Sequence, residues 1–105
     1  MTNIDRFEEL QQKIHSWAND TFGANRGPAP LLKHLVREAK DLQETPYDIL
    51  AFADVILLLL NAAKEAGYSV EDLILGVETK HNININREWE QLEDGTTRHI
   101  KQTKI

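Results

Sequence analysis

Ile49-Leu-Ala-Phe-Ala-Asp-Val-Ile-Leu-Leu-Leu-Leu-Asn-Ala-Ala63 is the stretch on which the fold turns. It is apolar almost all the way round, so as a helix it calls for neighbours on most sides. It is too short to cross a bilayer, and two polar residues, Asp54 and Asn61, interrupt it. A 3.6-residue period stacks these two on one face, two turns apart. Burying a lone carboxylate is costly unless a hydrogen-bond network, a cation or a metal meets it. The stretch therefore predicts a buried Asp54 with something positive beside it.

The preceding segment supplies further acids. Pro30 suits the first turn of a helix running to about Gln43, with Leu31, Leu35, Val36, Ala39 and Leu42 as its apolar stripe. Glu38 and Asp41 share a face, with His34 one turn earlier on that side. Thr45-Pro46-Tyr47-Asp48 reads as the start of the next helix, with Thr45 as N-cap and Pro46 at the first helical position. So short a connection makes the two helices antiparallel neighbours, which can bring Glu38 and Asp41 opposite Asp54. Converging carboxylates repel one another, and a hard divalent cation is the usual remedy, so the sharp reading is a Mg²⁺ or Mn²⁺ site. The plain alternative is a solvated acidic face, with Asp54 paired to a lysine or arginine.

Upstream, Thr2 and Asp5 fit a capping box opening a helix to about Asp20, with Ile4, Phe7, Leu10, Ile14 and Trp17 at helical spacing. Trp17 reads as a core anchor or as a flat surface for a ligand base. Phe22 to Ala29 is a loop. Downstream, Gly67 ends the central helix, and Ser69 with Asp72 caps a fourth. Its inward stripe begins with Leu73 and Val77, then continues as Lys80, Asn84 and Arg87. A face that changes from packing residues to two cations and an amide suggests an anionic ligand, or else a frayed end in water. The expected helices are 3–20, 30–43, 46–66 and 70–88, in one domain over 1–105, with 89–105 as an extended tail. Within that tail Glu93-Asp94-Gly95-Thr96 marks a turn.

Composition narrows the function. A chain of 105 residues makes one small domain, and a net charge of −5 without a basic stripe argues against nucleic acid. The absence of cysteine excludes disulfides, thiolate zinc sites and cysteine nucleophiles. The N-terminus lacks a charged-then-apolar leader, and no stretch suits a membrane span, which makes the cytoplasm the expected address.

Taken together, these pieces resemble the MazG-like all-α nucleoside triphosphate pyrophosphohydrolases, in particular the bacterial and phage dATP/dGTP branch. The resemblance is carried by His34-Leu35-Val36-Arg37-Glu38-Ala39-Lys40-Asp41, by Ala51-Phe52-Ala53-Asp54, by the Gly67-Tyr68-Ser69 break and by Lys80, Asn84 and Arg87-Glu88-Trp89. Trp17 with Phe22-Gly23, and Asp94-Gly95 with His99, add to it. It implies a four-helix bundle completed by oligomerisation, as a homodimer or homotetramer. It also implies hydrolysis of a nucleoside triphosphate to monophosphate and pyrophosphate, in the host cytoplasm if phage-encoded. Glu38, Asp41 and Asp54 then hold the metal, Lys80 and Arg87 clamp phosphates, Asn61 and Asn84 hydrogen-bond phosphate or sugar, and Trp17 or Trp89 stacks on the base. One departure stands out: Ala51 occupies the position of a family glutamate. It is either an engineered change that traps uncleaved nucleotide, which the intact neighbouring motifs favour, or a natural variant. In the natural case Asp48 or Glu44 compensates, or hydrolysis is lost and the chain is a nucleotide-binding module.

Overall fold

A computed structural model describes residues 1–101 of the chain. The remaining residues of the expected tail, 102–105, lie outside the described residues. Four α-helices follow one another, α1 (Asn3–Phe22), α2 (Ala29–Glu44), α3 (Ile49–Glu65) and α4 (Val70–Ile85), and two short strands follow, β1 (Trp89–Gln91) and β2 (Thr97–His99). The chain divides into two compact units, Met1–Leu73 and the part from Ile74 onward. Among the described residues no helix is long and apolar enough to cross a membrane.

Local chemistry sets the helix ends. Thr2 and Asp5 form the expected capping box, each side chain accepting from the other residue's backbone N–H at 3.1 and 3.0 Å. Ser69 and Asp72 repeat the device before α4, at 3.1 and 2.9 Å. Gly67, at φ +94°, ends α3: its N–H donates to Lys64 O and the Tyr68 N–H to Ala63 O, the two bonds of a Schellman motif.

The start of α3 departs from expectation. The N-cap is Asp48, whose carboxylate accepts from Leu50 N at 2.9 Å, and the helix begins three residues later than the sequence suggests. Thr45 is committed elsewhere: its hydroxyl and N–H both bond to Asp41 O, closing the end of α2. The chain therefore spends Pro46 and Tyr47 on the turn. Helix α4 also stops earlier than expected, at Ile85. Its last carbonyls are taken by side chains, Asn86 Nδ2 to Asn82 O at 2.8 Å and Trp89 Nε1 to Asn84 O at 2.8 Å.

In the first unit, Leu31 from the start of α2 packs on Leu58 and Ala62 from the end of α3, with Leu35 alongside. Contact between opposite ends makes the pair antiparallel, as the short connection requires. Each such leucine contributes about 1.5–3 kcal/mol by leaving water. Helix α1 joins α3 through a buried amide: Gln11 Nε2 donates to Leu60 O at 3.0 Å and to Tyr68 O at 3.2 Å. His15 Nε2 lies 3.3 Å from Glu65 Oε1 on the same seam.

The expected apolar stripe of α1 is not its buried face. Gln11 and Ala18 are buried, whereas Ile4, Phe7 and Leu10 are exposed, and Trp17 is 60% exposed and so not a core anchor. Val36 and Val77, expected to point inward, are exposed as well. In the second unit β1 and β2 form an antiparallel hairpin in which Trp89 pairs with His99 and Glu90 with Arg98. Arg98 and Glu90 are also ion-paired across the strands. Gly95, at φ +87°, makes the turn.

Candidate functional site

The register of α2 on α3 positions the acidic residues. With Leu31 against Leu58 and Ala62, moving two turns along α2 brings Glu38 level with Ala51 and Asp54. Glu38 is half-buried, and its Oε1 lies 3.1 Å from His34 Nε2. Asp41 and Asp54 are exposed, so the expected burial of Asp54 against a cation is overturned. The reason is visible in α3: its first half is open to solvent, with Ile49 76% and Leu50 71% exposed.

The donors have the chemistry of a hard divalent site, oxygen without sulfur. Their positions do not complete one within the single chain. Among the described residues no three His, Asp or Glu side chains come together to hold a metal ion. Ala51, half-buried in the first turn of α3, contributes no donor at the level of Glu38 and Asp54.

Two turns beyond Asp54 on the same face, the seam changes character. A cleft of about 360 Å³ opens there, with Trp17 and Phe22 of α1, Leu31 of α2 and Leu58 of α3 among its apolar walls. Trp17 and Phe22 meet edge-to-face at 5.4 Å, and the Arg26 guanidinium lies 5.5 Å from the Phe22 ring centre. Arg26 and Arg37 bring guanidinium groups to the lining, and His34 an imidazole. Asn61 is 97% buried at this cleft, and its Oδ1 has no hydrogen-bond partner among the described residues.

The residues expected to meet an anion fall in the second unit. Lys80 is exposed on α4, whereas Asn84 and Arg87 are half-buried. Arg87 lines a polar cleft of about 470 Å³ together with His99 and Lys101. Trp89 is engaged at both ends, its indole N–H on Asn84 O and its ring edge-to-face with His99 at 5.9 Å. Asn84 Oδ1, like that of Asn61, is buried without a partner among the described residues.

Sequence reasoning missed Phe22 and Arg26 as cleft residues, because they fall where helical periodicity gives way to a loop. It missed Gln11 because a lone glutamine in a helix reads as surface. The signal for the cleft was present in one place, the adjacency of Trp17 and Phe22-Gly23.

Antiparallel α2 and α3 carrying acids toward one end, and an aromatic-walled cleft at the other, define an all-α MazG-like protein. The structure matches the cyanophage S-2L MazG-like pyrophosphohydrolase, solved bound to dGDP and three catalytic Mn²⁺ ions per active site. The TM-score is 0.75 at 29% identity, covering 96% of this chain and all of that one. A sequence model of the dATP/dGTP pyrophosphohydrolase family matches residues 10–104, and the chain belongs to that family of enzymes. It is 39% identical over 93 residues to a dATP/dGTP diphosphohydrolase of Salmonella phage PMBT28, and 36% identical over 96 residues to the Eaa protein of Salmonella phage P22. These matches take in 88% and 90% of this chain but only 31% and 30% of those proteins.

Proposed function

We propose that this chain binds purine deoxynucleoside triphosphates and is built to hydrolyse them to monophosphate and pyrophosphate with Mg²⁺ or Mn²⁺. The observation that carries the reading is the α2–α3 seam. One end offers carboxylates at the level of Asp54, and the other, about 10 Å away along the helix axis, offers an aromatic and apolar cleft. An extended nucleotide has the same two-ended chemistry. The family membership and the dGDP- and Mn²⁺-bound relative support it.

In this reading Glu38, Asp41 and Asp54 would hold the divalent ion, which would supply neutralisation of the triphosphate and acidification of a water. Trp17 orients the base, and Asn61 and Asn84 hydrogen-bond the nucleotide. Lys80 and Arg87 hold the departing phosphates, and His34 fixes the Glu38 carboxylate. Water adds to the α-phosphorus, the bond to the bridging oxygen breaks, and pyrophosphate leaves. Self-association, as a dimer or tetramer, covers the open half of α3.

A second reading is favoured by Ala51 and by the absence of a three-donor cluster among the described residues: a nucleotide-binding module without hydrolysis. A paired assay decides. The chain and its Ala51→Glu variant are incubated with Mg²⁺ or Mn²⁺ and each deoxynucleoside triphosphate, and monophosphate and pyrophosphate are quantified. Turnover confined to Ala51→Glu assigns residue 51 to the catalytic set. Turnover by the unaltered chain means another carboxylate, Asp48 or Glu44, completes it. Binding without turnover in both selects the module, and neither binding nor turnover ends the nucleotide reading.

A further inference from the structure

Asn61 poses a physical problem that the proposed activity leaves open. Its side chain sits in the most apolar helix of the chain, 3% exposed, with Oδ1 shielded from water and unpartnered among the described residues. Leaving a buried amide oxygen unbonded costs about 1–3 kcal/mol. A leucine at the same place would avoid that penalty and continue the run Leu57-Leu58-Leu59-Leu60. Such a group persists where a ligand supplies the missing donor.

The cleft specifies the ligand's shape. Trp17 and Phe22 stand at right angles and leave flat apolar surface beside Asn61, with Leu31 and Leu58 below. Flat apolar walls around one buried acceptor suit a flat heterocycle with an N–H on its edge. The phosphate groups cannot supply that donor, because phosphate oxygens only accept from an amide. The guanidinium groups of Arg26 and Arg37, which line the same cleft, are the partners a phosphate would take there, not the Asn61 oxygen.

We infer that Asn61 reads the base, its Oδ1 accepting an N–H from the edge of a purine held against Trp17, and that it is a specificity-determining residue rather than a phosphate contact; a sugar contact through the 3′-hydroxyl would not distinguish one base from another. Adenine supplies the 6-amino group and guanine the N1–H or the 2-amino group. The amide Nδ2 offers a donor to the neighbouring ring or carbonyl acceptor, the bidentate pattern asparagine makes with purines. The inference rests on the nucleotide reading but not on hydrolysis.

The test uses monophosphates, so turnover plays no part. Binding of dAMP, dGMP and unsubstituted purine 2′-deoxyriboside monophosphate, which has the same bicyclic ring but no edge N–H, is measured calorimetrically on the full chain. The chain is compared with its Asn61→Leu and Asn61→Ala variants. The unaltered chain is expected to bind dAMP and dGMP about tenfold tighter than the unsubstituted purine. In both variants that ratio falls to about one, and in Asn61→Leu the melting temperature without nucleotide rises because the orphaned oxygen is gone. A ratio that persists in the variants overturns the inference. So does an Asn61→Leu protein that melts lower and loses all three ligands equally, which would make Asn61 a structural amide. If the unaltered chain binds no nucleotide at all, the nucleotide reading fails with it.

Discussion

Asp54 and Asn61 project from one face of α3 two turns apart, yet one is exposed and the other 97% buried. The polar stripe thus runs from water into the apolar cleft, and its two ends carry different costs. An exposed carboxylate contributes little to folding, so its value lies in what it meets. In the Ala51→Glu background, Asp54→Asn is expected to lower turnover about a hundredfold or more while changing stability by no more than about 0.5 kcal/mol. Steady-state kinetics beside thermal melts separates the two effects. Equal turnover by both proteins would remove Asp54 from the catalytic set.

The clasp between Gln11 and α3 is the converse case, a polar group that serves the fold. Its amide donates to Leu60 O within α3 and Tyr68 O beyond the helix end, tying α1 to both. Gln11→Leu keeps the volume but leaves a buried carbonyl short of a donor. The expected loss is about 1–3 kcal/mol, read from urea unfolding midpoints at unchanged slope. An unchanged midpoint would mean that water replaces the amide.

These two residues show where the sequence was legible and where it was not. Helix order, the caps at Thr2 and Ser69, the Gly67 stop and the shared face of Asp54 and Asn61 all follow from local rules of spacing and turn chemistry, and the structure shows each of them. Burial does not follow from spacing. The α1 stripe of Ile4, Phe7 and Leu10 has the right period yet faces solvent, because the residue that locks α1 to α3 is Gln11, on a neighbouring face. Asp54 misled in the same way: an apolar run implies neighbours, but nothing in the run says whether the same chain supplies them. The hairpin was half-visible. Its turn was marked by Asp94-Gly95 and the stretch from Trp89 was expected to be extended, but nothing local announced that Trp89 pairs with His99.

That turn carries a pH dependence with a definite sign. The Asp94 carboxylate accepts from the Thr96 hydroxyl at 2.6 Å and from its backbone N–H at 3.0 Å, and these bonds hold its pKa below the ordinary 3.8. A carboxyl lowered in the folded state stabilises the hairpin above the ordinary value and loses that contribution as pH falls through the lowered one. The Thr96 amide resonance should therefore titrate with a midpoint below 3.8. Thr96→Val, which removes the hydroxyl donor, should move the midpoint upward. A midpoint at or above 3.8 in the unaltered chain contradicts the turn geometry.

The last expectation concerns the surface that made Asp54 look buried. Ile49, Phe52, Ile56 and Leu59 recur at helical spacing on α3, and all are exposed, from 44 to 76%. A contiguous apolar face of this kind on a small protein marks an interaction surface. A second copy of the same helix is the simplest partner of matching chemistry, since a two-fold interface sets one patch against itself. Sedimentation of the unaltered chain should give a dimer or larger species, and its melting temperature should rise with protein concentration. Phe52→Glu combined with Ile56→Glu places charges within that face, so the double variant should sediment as a monomer and lose the concentration dependence. Glu38→Gln, on α2, should leave assembly intact. An unaltered chain that is monomeric at every soluble concentration would leave this face to a different partner.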